Sequence, residues 1–185
     1  AEDTNGFIGD GSGTYASVTG VASALHANAV KTADSGEVTV AALDFADYEA
    51  TKALVSVLPG AQNRWYVNST TWETSMSSLM NAAGGNTIQA LANGQQSRMF
   101  LGDEVVITQV LPGDGADNQV AYYGDLSLAA TLGSRRDVSI TVLRELYAAS
   151  NQVGMVATER PAITVHETGQ VAGQRPLAAL QLAAS

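Results

Sequence analysis

The chain has 185 residues, of which 45% are apolar, and it contains no cysteine and carries a net charge of −9. This apolar content is enough to bury the core of one domain, and the lack of cysteine excludes a disulfide framework or a cysteine zinc site. The acidic balance argues against a nucleic-acid clamp, which requires clustered Lys and Arg. No apolar run approaches the roughly 20 residues that span a bilayer. Because no charged stretch followed by an apolar one opens the given sequence, we expect no signal peptide in it.

Residues 1–20 form a Gly-rich opening segment that we predict to be a loop. Gly9, Gly11 and Gly13 lack the spacing of a phosphate-binding loop, and glycine is the default residue where a turn needs positive φ. Beyond this segment, residues 22–25 predict a short helix and residues 37–40 an extended piece.

A clear helical pattern begins at Leu43. Asp44, Asp47, Glu49 and Lys52 are predicted to face solvent, and Pro59 and Gly60 to end the helix. The predicted apolar stripe recurs at three- and four-residue steps: Leu43, Ala46, Ala50, Leu54, Val57 and Leu58.

A short strand over residues 64–68 contains Trp65 and precedes a second helix. Thr70 and Glu73 have the spacing of a capping box, and Gly84 with Gly85 predicts the end of the helix. Its apolar stripe is predicted to contain Trp72, Met76, Leu79, Met80 and Ala83. The polar residues 86–98 are predicted to be a loop.

Residues 99–132 read as two strands separated by a turn, with a further extended segment after them. The β-branched run over residues 105–107 is typical of a strand covered on both faces, and Pro112 to Gly115 has turn chemistry. The second strand is predicted to end at Gly124 and Asp125.

The remaining chain predicts further extended segments joined by turns. Arg135 and Arg136 are expected in a turn, followed by a half-buried strand over residues 138–143 and a strand over residues 153–160. Shorter strands are predicted at residues 163–165 and 180–182, with residues 169–173 connecting them. The order strand, helix, strand with short connecting loops predicts an α/β layer in which helices pack on a sheet.

No recognisable reaction or metal chemistry emerges from the sequence. His26 and His166 are far apart in the chain, and no nucleophile elbow is present. Asp114, Asp117 and Asn118 lack the spacing of a calcium-binding EF-hand loop. We therefore expect no catalytic residue, no cofactor and no metal.

Several short motifs, in this order, resemble the major capsid proteins of tailed bacteriophages and prophages, the Hong Kong 97-type family. They begin with the glycine-rich residues 7–14 and continue through the strand and helices described above, covering nearly the whole chain. The residues that match family motifs, and to which the resemblance gives a structural role, are Gly9, Asp10, Gly11, Trp65, Leu101, Gly102, Gly124, Asp125, Glu159 and Arg160.

The resemblance implies an α+β fold. A mixed sheet with helices packed on it forms the axial domain, and long C-terminal strands belong to a peripheral domain. On this basis residues 1–20 form the opening segment, 21–132 the axial-type domain, 133–169 the peripheral strands, and 170–185 a strand that returns to the axial domain. The polar loops at 86–98 and 112–119 are the candidate contact edges between subunits.

The implied function is that of a coat subunit of an icosahedral shell around double-stranded DNA. Its partners would be copies of itself in pentamers and hexamers, with scaffold or decoration proteins as further possibilities. No sequence-specific nucleic-acid binding and no membrane contact is expected. Localisation would be the virion capsid, after assembly in the bacterial host cytoplasm.

The sequence departs from the family pattern at Asp103 and Glu104, where an apolar residue and proline are usual, and at Pro161, which lies within a predicted strand. Some family members cross-link Lys to Asn with the help of Glu. Asn151 stands near the expected Asn position, but Thr158 stands near that of the Glu, so we expect no cross-link.

Family members also carry an N-terminal arm, an extended loop and a spine helix ahead of the glycine-rich segment. The chain given is therefore expected to be truncated, through design, proteolysis or prophage decay. By itself it is expected to be a monomer or small oligomer rather than a closed shell.

Two alternatives come from other classes of function. The acidic, cysteine-free composition is also compatible with an extracellular or surface binding module. An enzyme, such as a metal-dependent hydrolase, would require His26 or His166 in a deep pocket beside two carboxylates.

Overall fold

A computed structural model describes residues 6–15, 17–84, 98–143 and 150–185; the side chains of Tyr15, residues 134–137 and residues 159–161 are left out of the description. Eight strands are present in these ranges: β1 (Val30–Thr32), β2 (Arg64–Val67), β3 (Met99–Phe100), β4 (Asp103–Ile107), β5 (Gln119–Gly124), β6 (Ala130–Leu143), β7 (Gly154–Val165) and β8 (Leu177–Gln181). The helices are α1 (Val21–Ala24), α2 (Phe45–Leu54), α3 (α-helical over Ser69–Thr71 and Ser77–Ala82, with the π-helical stretch Trp72–Met76 between them) and α4 (Leu126–Ala129).

Six strands form one mixed sheet in the order β1-β8-β5-β2-β4-β3. β1 with β8 and β2 with β4 are parallel, while β5 runs antiparallel to both β2 and β8. Because β8 and β5 lie in the interior of the sheet, their side chains are buried on both faces. Leu180 packs on one side of the sheet and Leu177 on the other. We call this sheet and its helices the body.

The helix predicted to begin near Leu43 is confirmed as α2, but the residues that it buries differ from those predicted. Asp44 caps α2, accepting hydrogen bonds from the backbone N–H groups of Ala46 and Asp47. The residues that α2 buries are Asp47, Tyr48 and Thr51. The prediction that Asp47 faces solvent was therefore wrong.

The end of α2 also differs from the prediction. The helix stops at Leu54, ahead of Pro59, because the backbone of Val55 is extended and Ser56 N–H donates to the carbonyl of Arg175. Val57, which we placed on the apolar stripe, is 95% exposed.

Helix α3 follows β2 directly, and Asn68 is its N-cap, with its side chain accepting from Thr70 N–H. The capping box that we predicted at Thr70 was therefore two residues late. The stripe is confirmed in its first half, where Trp72 and Met76 are buried, whereas Ala83 is exposed. Gly84 has φ +76 just after the helix, whereas Gly85 and most of the predicted polar loop lie outside the described residues.

Aromatic rings form the centre of the larger core cluster, between the sheet and α2. Trp65 is fully buried, and its ring centroid lies 4.6 Å from that of Tyr123 and 6.0 Å from that of Phe100. Tyr48 contacts both Trp65 and Phe100 edge-on. Edge-to-face and tilted contacts of this kind are the favoured geometries for aromatic pairs.

The long strands β6 and β7 pair only with each other among the described residues and form an antiparallel arm. The predicted turn at Arg135 and Arg136 was wrong, since β6 continues through it with an irregular register. Pro161 lies opposite Ser134, beside this irregularity, in a strand whose outer edge is unpaired within the described residues. Proline lacks an N–H donor and is tolerated at such edges.

The extended piece expected at residues 37–40 was wrong: the extended residues in this region are those of β1, and a 3₁₀ turn spans Val40–Ala42. The prediction of an axial and a peripheral domain with the boundaries given above stays a prediction, although the body and the arm are separate sheets.

Candidate assembly surface and family-motif residues

The glycine-rich motif forms a small closed loop on the protein surface. Gly9 O accepts from Gly20 N–H, and Gly11 N–H donates to Val18 O. Asp10 Oδ1 accepts a 2.8 Å hydrogen bond from Ser12 N–H, and the hydrogen bonds from Ser12 lower the pKa of this exposed carboxyl. These contacts are all internal to the loop, so Asp10 here stabilises a turn.

Leu101 and Gly102 form the two-residue connection of the β3–β4 hairpin, and both have positive φ, +51 and +88. Lys52 on α2 holds this turn, because its Nζ donates to Leu101 O at 2.7 Å and to Asp103 Oδ2. The Tyr123 hydroxyl donates to the same carboxylate oxygen at 2.8 Å. Burial, and then the hydrogen bond to Asp103, raise the pKa of Tyr123, so it stays protonated at neutral pH.

The acidic pair that departs from the family pattern therefore has partners on both sides. Asp103 is bound by Lys52 and Tyr123, and Glu104 Oε2 lies 3.0 Å from Nε of Arg64 on the neighbouring strand β2. Each of these two acids thus lies beside a cation of this chain. Lys52 was predicted from sequence only as a solvent-facing residue, and no local pattern shows its contact with a turn 49 residues away.

Gly124 and Asp125 join β5 to the arm at a crowded position. Gly124 has φ +138, and a Cβ placed on it would lie 2.0 Å from the carbonyl oxygen of Pro176. Asp125 then caps α4: its Oδ1 accepts from Ser127 N–H and Oγ–H, while its Oδ2 accepts from Gln62 N–H at 2.9 Å.

The electrostatics of Asp125 follow from these contacts. Burial acts to raise its pKa, but the hydrogen bonds from Ser127 and Gln62, together with the nearby charge of Arg64, outweigh burial and lower it. Asp125 is therefore ionised at neutral pH. At the base of the arm it connects the end of β5 to α4, through Ser127, and to the segment before β2, through Gln62.

The remaining motif residues lie in the core of the body, for Trp65, and in the arm, for Glu159 and Arg160. Trp65 lies in the centre of the aromatic core, where its Nε1 has no hydrogen-bond partner. Glu159 and Arg160 lie within β7, with the backbone of Arg160 opposite Arg136. The assignment of a family role to these residues stays a prediction.

The sequence-predicted groups for metal or acid–base chemistry do not converge within the described residues. His26 Nδ1 accepts from Asn28 N–H, while Asp114 Oδ1 accepts from Val40 N–H. Three other acids, Glu37, Asp44 and Asp47, do lie together, with Lys31 Nζ 3.7 Å from Asp47 Oδ1. Burial, and then the hydrogen bond to Asp47, raise the pKa of Glu37.

The loop over residues 112–119, one of the predicted contact edges, is bound to its own body. Asp114 accepts from Val40, Asn118 O accepts from Leu182 N–H, and Asp117 O accepts from the Gln181 side chain. The other predicted edge lies almost entirely outside the described residues.

Among the described residues, most of the exposed large apolar side chains lie instead on the arm. In the antiparallel register Ile140 is opposite Ala157, and Val142 is opposite Met155. Directly opposed residues project to the same face of a sheet. These four residues, which we call the arm face, are all exposed, with Ile140 64% and Met155 73% accessible. The sequence predicted this strand to be half-buried, so this expectation was wrong.

Comparison with known proteins supplies the family. The sequence model of the phage capsid family matches residues 1–170. This chain belongs to the phage capsid family. No curated protein matches it.

Solved structures agree on the fold of this phage capsid family member. The capsid of a native GTA particle superposes with a TM-score of 0.74 at 20% identity, covering 99% of this chain and 61% of that one. The capsid of an empty GTA particle gives 0.67 at 21% identity with the same coverages. The holo-SrpI encapsulin complex of Synechococcus elongatus PCC 7942 gives 0.55 at 9% identity, covering 88% of this chain and 55% of that one.

These similarities confirm the predicted α+β fold of the Hong Kong 97 type. The chain spans about 61% of the length of the GTA capsid chains. The match to the phage capsid family indicates a structural protein, and none of the matches above supports the alternative of a surface binding module. No helix in the described ranges is long and apolar enough to cross a bilayer.

Proposed function

We propose that this phage capsid family member is the body and arm of a major capsid subunit that assembles with copies of itself into an icosahedral shell enclosing double-stranded DNA. The observation that carries the proposal is the family match over residues 1–170, together with superposition of 99% of the chain on capsid subunits. Pentamers and hexamers are the assembly units proposed, and scaffold or decoration proteins are further partners.

The physical character of the chain supports a role in assembly rather than catalysis. The motif residues whose surroundings the structure describes contact their own chain, holding turns and the base of the arm, whereas the arm exposes apolar side chains. Exposed apolar patches of this kind mark protein interaction sites. An acidic container needs no base-reading surface, because it encloses DNA without recognising its sequence.

The proposal also places the protein in the virion, after assembly in the bacterial cytoplasm. The domain division offered above fits it: the six-stranded body corresponds to the axial-type domain and the arm to the peripheral strands. Residues 1–185 alone are proposed to stay monomeric or to form small oligomers.

The test is the solution mass of the complete gene product and of residues 1–185, measured by light scattering and followed by electron microscopy. We expect megadalton particles of regular diameter from the complete product and a small species from the shorter chain. A complete product that stays small and discrete under all assembly conditions refutes the shell, and regular spheres formed by residues 1–185 alone refute the proposed dependence on further residues.

A further inference from the structure

A short turn of the body lies against the segment that leaves the arm. The arm strand β7 ends at Val165, and residues 166–170 carry the chain from there towards β8. Residues 26–29 contact this segment and continue directly into β1, an edge strand of the body sheet. We call residues 26–29 the clasp, because they connect the base of the arm to the body.

Two hydrogen bonds join the clasp to the segment that leaves the arm. His26 N–H donates to Thr168 O at 2.8 Å, and the side chain of Asn28 donates to Gln170 O at 3.1 Å. Both acceptors are backbone carbonyls within five residues of the end of β7. The clasp therefore fixes the path of the chain at the point where it leaves the arm.

The packing between the clasp and this segment is close. Ala29 is fully buried, and Gly169 beside it has φ +74. A Cβ placed on Gly169 would lie 2.6 Å from the Cβ of Ala29, so only glycine allows the two backbones to approach in this way. The contact therefore requires the clasp to keep its conformation.

The conformation of the clasp depends on one histidine ring. His26 is the N-cap of the 3₁₀ turn Ala27–Ala29, and its Nδ1 accepts a 3.1 Å hydrogen bond from Asn28 N–H. Only a neutral ring with its proton on Nε2 has a lone pair at Nδ1. A second proton on the ring converts Nδ1 into a donor, so the cap bond is lost and two N–H groups face each other.

Histidine is the side chain whose charge ordinarily changes between about pH 5 and 8. The clasp packs against β1, β8 and residues 166–170. The charged or titratable residues of these elements and of the connection to β8 are Lys31, His166, Glu167 and Arg175. Glu167 already accepts from Gly169 N–H, and Arg175 donates to Gly169 O. Within the described residues His26 forms no ion pair that would compensate a positive charge on its ring.

We propose that the clasp is a pH-sensitive joint between the arm and the body, closed while the His26 ring is neutral and loosened when the ring takes up a proton. Loss of the cap frees the turn, its contacts with Thr168 and Gln170 weaken, and the arm becomes free to change its direction relative to the body. Because the cap requires the neutral ring, its contribution to stability is present at pH 8 and lost as pH falls towards 5. The joint is a property of the single chain and goes beyond the proposed assembly function.

Variants of the two histidines separate this ring from other titrating groups. His26→Asn keeps a side-chain acceptor at the N-cap that takes up no proton in this pH range, whereas His26→Ala has no acceptor at any pH. His166→Asn is the control, because it removes the other histidine of the chain. All variants are made in the complete gene product and measured on the unassembled subunit.

Melting temperatures are measured by circular dichroism between pH 8 and pH 5. We expect the wild type to fall by about 2–4 °C relative to H26N across this range and to reach H26A at pH 5, as one lost hydrogen bond predicts for a chain of this size. H166N is expected to follow the wild type. A constant difference between the wild type and H26N, or a fall that H166N abolishes equally, overturns the inference.

The freedom of the arm is measured directly with a pair of spin labels. Because the chain contains no cysteine, Val57→Cys on the body and Ile140→Cys on the arm give two specific attachment sites, both at exposed residues. Pulsed electron paramagnetic resonance then reports the distribution of body-to-arm distances. We expect this distribution to broaden at pH 5 with His26 present and to keep its pH 8 width in the H26N background. An unchanged width with His26 present, or equal broadening in both backgrounds, overturns the inference.

Discussion

Among the glycines that the structure describes, Gly124 is the one at which an added methyl group should disturb the fold most. Gly124→Ala places a Cβ at 2.0 Å from Pro176 O and 2.8 Å from Leu177 Cα, and it forces a residue with a side chain to adopt φ +138. Both neighbouring atoms are backbone atoms of the segment that enters the central strand β8, so neither can rotate away. Relief requires β5 and β8 to move apart.

The magnitude follows from two contributions. A non-glycine residue in a sparsely populated φ region costs about 1–3 kcal/mol. Overpacking a rigid site costs about 1–3 kcal/mol in addition, and more when backbone must move. Together they predict a loss of roughly 4 kcal/mol, which in a chain of this size lowers the melting temperature by roughly 8–16 °C.

Two other glycines separate these contributions. Gly60 has φ +83 with nothing within 4 Å of its Cβ position, and Gly13 has open space and no positive φ. Urea unfolding of the three alanine variants, followed by circular dichroism, should rank them G13A, G60A, G124A in increasing loss of stability. If G124A matches G60A, the close approach of Pro176 does not constrain this chain and the reasoning is refuted.

Three further predictions concern other contacts. Asp125→Asn keeps an N-cap but replaces the acceptor of Gln62 N–H, so it should cost about 1 kcal/mol of unfolding free energy at pH 7. Because folding lowers the pKa of Asp125, the wild-type carboxylate stabilises the fold above the unfolded pKa of about 3.9, and this stabilisation is lost as pH falls through the folded pKa. The two proteins should therefore converge in stability during acid unfolding, and a constant difference at all pH values would contradict the assignment. Lys52→Met should cost about 1–3 kcal/mol in urea unfolding, because it removes the Lys52 donor from Leu101 O and leaves Asp103 with the Tyr123 hydroxyl but without its cation. The double variant Lys52→Met with Asp103→Asn should recover part of the loss, an expectation that simple additivity would refute. Trp65→Ala should cost about 3–5 kcal/mol through the cavity it leaves, and a loss below 1 kcal/mol would show that the aromatic cluster is not the centre of the core.

Much of the local structure could be predicted from the sequence, because it depends on neighbours within a few residues. The strand around Trp65, the β-branched strand β4, the strand ending at Gly124 and the end of α3 near Gly84 all follow from alternation, turn residues and helix periodicity. The order of weak motifs also indicated the family, since several short patterns in sequence constrain a fold more than any one of them.

Where prediction failed, a distant residue decided the outcome. Helix α2 ends at Leu54 because Arg175 accepts the hydrogen bond from Ser56, and Asp47 is buried because the helix packs through Tyr48. Lys52 is a structural residue because it reaches the turn at Leu101. Helical periodicity contains no information about any of these partners.

The sequence alone determined the fold class, the absence of cysteine chemistry and the family to which the motifs point, because composition and short-range patterns carry that information. The tertiary structure alone decided which apolar residues are covered. Alternation in β6 predicts a strand with one apolar side, but whether that side meets a core depends on what packs against it. In this chain β5 and β8 are buried inside the body, whereas the side chains of the arm face are exposed. The exposed apolar face of the arm could therefore be identified only from the structure.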